Sequence, residues 1–172
     1  VAISAFEKFY FQNLESLAGA KTKDRQLILS LSRAEIDAKN ISTLLRLRRA
    51  SASPEDALKH AISGGTLLQP QLRHIAKLDS ATEVEKYVNR KFPVKIGQAA
   101  TEARKISMFE TELEKYVASR GLRALRGSMF SVGSIIGFLF LKEEEMNNIR
   151  KAVRAKVLGL SKEQVMEMLV EV

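Results

Sequence analysis

Apolar residues recur every three or four positions along almost the whole chain, the spacing that places them on one face of a helix. Phe6, Phe9, Tyr10, Leu14 and Leu17 predict a first helix over about 2–18, stopped near Gly19. Beyond a polar link at 21–24, Leu27, Leu31, Ala34, Ala38, Ile41 and Leu45 form one stripe and predict a long helix from about Arg25 to Ser51. Ser53 and Pro54 restart the chain, because a hydroxyl caps free amides and proline is tolerated at a first helical position. That short helix is expected to end at Gly64 and Gly65. Another should run from Pro70 to about Leu78, and Ser80 to Glu83 reads as a capping box before Val84, Tyr87 and Val88. After the break at Phe92-Pro93, a long helix is predicted from about Ile96 to Ser119. A flexible link from Gly121 to Gly127 comes next, then a last long helix from near Ser131 to Gly159. Its apolar run, Val132 to Leu141, reads as buried core, as does the stripe of Val132, Ile135, Leu139, Met146, Ile149 and Val153. Ser161 and Gln164 bound a capping box for a terminal helix carrying Val165, Met168 and Leu169. No stretch alternates with a period of two, so the fold class is all-α.

One helical phrase is written twice. Asn40-Ile41 falls on Asn148-Ile149, Asp37 on Glu145, Arg46 on Arg154 and Ser53 on Ser161, an offset of 108 residues throughout. A weaker echo sets Glu7-Lys8-Phe9 against Glu114-Lys115-Tyr116, with a slip of one residue. Repetition at such a period means one helical unit used more than once. The expected organisation is a helical module over 1–95 and a related second module over 96–172. Residues 25–60 should then overlay on 133–168.

The 172 residues are 45% apolar, enough for one sizeable core or two small ones. There are no cysteines, which excludes disulfides and thiolate metal sites. His60 and His74 sit on different predicted helices without a third ligand at metal spacing. No metal and no cofactor is expected. Glu143, Glu144 and Glu145 are consecutive, so on a helix they point about 100° apart and cannot converge on one ion. They read as a solvated acidic turn. Gly64-Gly65 lacks the lysine of a phosphate loop, and no nucleophile motif occurs, so no catalytic residues are expected.

The net charge of +8 suits an acidic partner, whether protein face, anionic headgroup or nucleic acid. Three basic clusters are candidate partner interfaces: Arg46 with Arg49, Arg120 with Arg123 and Arg126, and Arg150 with Arg154. The aromatics Phe6, Tyr10, Phe109, Phe138 and Phe140 lie in apolar stretches and read as core, which argues against stacked nucleic-acid bases. Asn40 and Asn148 stand beside the apolar stripe, where asparagine is a poor helix former, and are candidate inter-helix polar contacts. Glu143 interrupts its stripe and either faces water or pairs with an arginine of the other module. The longest apolar run has ten residues, too short to span a bilayer, which needs about 20.

The acidic-x-x-Asn-Ile pattern, the basic helix after it and the Ser-x-Glu cap resemble the C subunit of A-type and V-type rotary ATPases, whose vacuolar equivalent is the d subunit. The segments that carry the resemblance are Glu35 to Arg46, Ile135 to Arg150 and Leu158 to Val165, with a looser fit around Gly64-Gly65-Thr66-Leu67. Phe138 stands where members usually have tyrosine. The resemblance implies a non-catalytic part of the central stalk, cytoplasmic and peripheral to the membrane. Members form a funnel of three pseudo-threefold helical modules that couples the D- and F-type stalk subunits to the membrane proteolipid ring and transmits torque. With two modules here, a first module would be missing from this chain. The alternative functions are a helical scaffold that holds a partner's helix, or a basic nucleic-acid-binding helical protein.

Overall fold

The computed structural model describes residues 23–127 and 132–171, so the first expected helix, with Phe6 and Tyr10, lies outside the described residues. Seven helices and no strand occur among those residues. In chain order they are α1 (Lys23–Arg49), α2 (Pro54–Lys59), α3 (Gln69–Ile75), α4 (Ala81–Val88), α5 (Glu102–Gly127), α6 (Val132–Val157) and α7 (Lys162–Met168). The chain divides between Pro93 and Val94 into two compact units.

In the first unit α1 is the central element. Ile36, Asp37, Ala38, Asn40 and Ile41 are all buried, and together they cover about 200° of the helix circumference. The middle of α1 is therefore buried over more than half of its circumference, with α2 and α3 against it. Ser53 Oγ accepts from the amide of Asp56 (3.1 Å) and Pro54 opens α2, as its lack of an amide permits. α2 ends at Lys59, short of the glycine pair, because residues 61–67 leave the helix to lie against α1. Gly64 makes the turn there, with φ of 102°. At α3, Gln71 Oε1 accepts from the amide of Leu68 (2.9 Å) and Pro70 sits in the first turn. Ser80 caps α4 through the amide of Glu83 (3.2 Å), but the Glu83 carboxylate accepts from Asp79, one residue earlier than a capping box requires.

The second unit is built on α5 and α6, which pack antiparallel: Gly121 of α5 lies beside Gly137 of α6, and Glu114 binds Lys151. α5 begins later than the periodicity suggests, at Glu102, with the Thr101 hydroxyl accepting from the amide of Arg104 (3.3 Å). It also ends later. The glycine- and arginine-containing stretch expected as a link is helical to Gly127, and Gly121 is buried inside it. A Cβ at Gly121 would stand 3.4 Å from the Phe140 Cβ, so this glycine sets a close helix approach and not a turn. At α7 the capping box is complete: Ser161 Oγ accepts from Gln164 (3.3 Å) and Gln164 Oε1 accepts from Ser161 (2.9 Å).

The expected core of α6 is overturned. Of the run Val132 to Leu141 only Gly133 and Gly137 are buried, while Ile135 is 62% and Leu139 55% exposed. Glycines allow α6 to approach α5 on their side, which leaves the bulky stripe on the opposite one. Phe138 is likewise exposed, whereas Phe109 is fully buried as expected.

Candidate interaction surfaces

The repeated asparagines make the same structure in each unit. Asn40 Nδ2 donates to the carbonyl of Ile62 (2.9 Å), and the Ile62 amide donates back to Asn40 Oδ1 (2.7 Å). Asn148 treats Val170 identically, at 2.8 and 2.9 Å. Both partners lie 22 residues further on, so 40, 62, 148 and 170 keep the offset of 108. An asparagine side chain presents the donor and acceptor of a peptide, and so it pairs with one backbone residue as a strand would. What it holds is thus the extended segment after the short helix, not a neighbouring helix. The chain reversals also repeat. Ser51 (φ 62°) and Gly159 (φ 69°) both close their long helices in the left-handed conformation. Amides of Ala52 and Leu160, at equivalent positions, donate to Leu47 and Ala155 (both 3.0 Å).

The units then diverge at two neighbouring positions. Asp37 is fully buried; its carboxylate accepts from the amides of Thr66 and Leu67 (both 2.9 Å) and from the Thr66 hydroxyl. Gly65 lies so close that a Cβ there would run into the carboxylate. The equivalent Glu145 is exposed and paired with Lys142 (2.5 Å). One position earlier, buried Ile36 is matched by Glu144, which faces Glu114 and Lys151. Its Oε2 is buried without a hydrogen-bond partner. Burial first, and the Glu114 carboxylate second, push Glu144 up to about 7, against the pull of Lys151 and a bond from Asn147. The acidic turn expected at 143–145 is therefore split: Glu143 and Glu145 are exposed and Glu144 turns inward.

A proton on Glu144 is bound more tightly in the folded state, so its effect on stability has a definite sign. The contribution of Glu144 is most favourable below pH 4.5 and is lost as pH rises from there through about 7. Glu144→Gln should abolish that decline and raise stability at pH 8 by roughly 1 kcal/mol, a figure reduced because water still reaches the group. Chemical denaturation of both proteins at pH 5 and pH 8 checks it. A wild-type curve flat over that interval would contradict the placement of the carboxyl.

The basic clusters are surface features of their own helices. Arg46 and Arg49 occupy the last turn of α1 and Arg154 that of α6, where cations complement the helix dipole; all three are exposed, as is Arg150. Arg123 and Arg126 are exposed on α5, while Arg120 is half-buried and bonded to the Tyr116 hydroxyl (2.9 Å). Because α5 and α6 are antiparallel, Arg120, Arg123 and Arg126 lie at the opposite end of the hairpin from Arg150 and Arg154. The second unit thus does not gather its two clusters into one patch. A cavity of 340 Å³ lies between the start of α5 and α7, and its Arg104 and Glu167 are already paired to each other at 2.6 Å. Among the described residues no three acidic or histidine side chains are placed to hold a metal ion, and no helix is long and apolar enough to cross a membrane.

The surface missed by sequence reasoning is the bare apolar side of α6. Its only signal was the stripe itself, which looks the same whether covered or not.

Two long helices, each clasping its own following segment through an asparagine and repeated at fixed offset, define an all-helical repeat protein. Over residues 3–168 the chain matches the family described as ATP synthase (C/AC39) subunit, and it belongs to that family. It is 28% identical over 167 residues to the A-type ATP synthase C subunit of Methanosarcina barkeri, covering 95% of this chain and 46% of that protein. The corresponding Methanosarcina mazei protein is 27% identical over the same shares. That of Methanocaldococcus jannaschii is 24% identical over 174 residues, 96% of this chain and 43% of its own length. The chain therefore spans about half the length of these relatives. No solved structure gives a significant match.

Proposed function

We propose that this chain acts as part of a non-catalytic central-stalk subunit of an A- or V-type rotary ATPase, coupling the stalk to the membrane proteolipid ring. The observation that carries the reading is the clasped helical unit, repeated at an offset of 108 residues within a family match that runs almost end to end. A coupling part must transmit torque without yielding, and long helices tied to their following segments deform little. In this reading the two units are two modules, over 1–95 and 96–172, of a funnel that has three in the whole subunit. The partners are the D- and F-type stalk subunits and the ring, with no cofactor, and the location is cytoplasmic and peripheral to the membrane.

Exposed arginines at the ends of α1 and α6 supply charges that register a docking surface more than they add affinity. Reversing Arg46 with Arg49, or Arg150 with Arg154, to glutamate should lower recovery of stalk subunits or ring with the full-length subunit by about tenfold. Helical content should survive, since exposed positions tolerate substitution within about 0.5 kcal/mol. Co-purification from cells carrying each variant, with circular dichroism as the control for folding, makes the test. If the unsubstituted full-length subunit recovers neither partner, the rotor reading fails.

A further inference from the structure

Glu144 is half-buried where α6 packs on α5, and its Oε2 is buried there without a hydrogen-bond partner. The repeat shows what this position holds in the first unit: Ile36, 108 residues earlier, is 1% exposed and needs no partner. A carboxyl in such a place is tolerated while neutral and costly once charged, because its lost hydration has to be replaced. The charged groups acting on it are Glu114 from α5, and Lys151 and Glu143 from α6 itself; α7 supplies none among them, and Asn147 adds a bond. Glu143 is exposed, so water screens it. Lys151 is the one cation of the group, and its ammonium is already bonded to the Glu114 carboxylate, tying α6 to α5. Two carboxylates thus have one ammonium between them.

We propose that Glu144 is a proton-operated latch between α5 and α6. With the proton on, Lys151 stays with Glu114 and the tie between the helices holds. With the proton off, the Glu144 carboxylate draws Lys151 away from Glu114, and that level of the helix pair opens to water. Burial and the Glu114 charge place the change near pH 7, so the latch is closed on the acid side and released on the alkaline side. The opening is local. Seven residues further along α5, Gly121 meets Gly137 through a close contact that needs no charge and keeps the two helices together. The proton therefore governs where the unit opens as well as how stable it is. The latch rests on side chains of the second unit alone and is independent of the rotor reading.

The chain has no cysteine, so a single introduced thiol reports on the opening. Ala118 is 1% exposed and lies between Glu114 and Gly121 on the same side of α5; Val117, 5% exposed, gives a second probe position. Labelling of the whole Ala118→Cys or Val117→Cys chain by a neutral disulfide reagent is measured, with rates divided by those of a free cysteine peptide. It should be about tenfold faster at pH 8 than at pH 6, the ratio for a carboxyl that titrates near 7 when closed and at its ordinary 4.5 when open. Adding Glu144→Gln should bring the two rates within about twofold. Adding Glu114→Gln instead leaves Lys151 to Glu144 and removes the like charge, so the ratio should fall to about threefold or less. Equal rates at pH 6 and pH 8, or a ratio that survives Glu144→Gln, overturns the proposal. A ratio unchanged by Glu114→Gln overturns the competition for Lys151. Labelling that climbs with urea as steeply as unfolding itself means that the whole unit opens, which also overturns the latch.

Discussion

Gly137→Leu should destabilise the second unit by about 3 kcal/mol, the upper range for forcing bulk into a packed site. A Cβ on Gly137 would stand 2.7 Å from the Gly121 carbonyl oxygen and 2.7 Å from the Leu125 amide nitrogen. Both are backbone atoms of α5, so no rotamer change can make room, and the helices must separate. Gly137→Ala is the sharper test. In a free helix alanine is better than glycine by about 1 kcal/mol, so any net loss must come from the crossing. The expected outcome is a lower denaturation midpoint for Ala and a still lower one for Leu. A gain with alanine would mean that α5 and α6 do not approach as closely as Gly121 and Gly137 allow.

The same crossing shows where sequence reading succeeds and where it stops. The offset of 108 was legible because it reappears in side-chain chemistry: Asn40 and Asn148 both bind a backbone, and Ser53 and Ser161 both cap. Periodicity identified the long helices for a similarly local reason. It could not say which side of α6 is covered. Apolar spacing marks Ile135 and Ile149 as fit for burial, but burial depends on a second surface, and the closest approach went to the side with Gly133 and Gly137. Gly121 misled for the converse reason, since a glycine that permits a turn also permits contact between helices. Glu144 was hidden in a charged triplet; only the position of α5 distinguishes it from Glu143 and Glu145. Nor did local pattern show the role of Asp37, whose partners Thr66 and Leu67 are 29 and 30 residues away.

Loss of the buried clasp in the first unit should cost more than loss of its counterpart in the second. Asn40→Ala is expected to lower stability by about 3 kcal/mol, and Asn148→Ala by about 1 kcal/mol. Both remove a donor and an acceptor from one backbone residue. The difference lies in what replaces them. Asn40 is 1% exposed, so the amide and carbonyl of Ile62 would be left without partners in a closed core. Val170 is as buried as Ile62, but Asn148 itself is only part-buried, so water can enter by the place the asparagine vacates. Asp37→Ala belongs with the costly class, at about 3–4 kcal/mol, because it frees the amides of Thr66 and Leu67 together, and bonds to a charged acceptor are the stronger kind. Asn40 and Asp37 hold the same segment from Ile62 to Leu67, so their losses should not add: once one is gone the segment is partly released and the second change costs less. Urea denaturation of the three single variants and the Asn40–Asp37 double variant decides the matter. Equal costs at Asn40 and Asn148 would show that burial does not separate the two clasps, and full additivity would show that Ile62 and Leu67 are anchored independently.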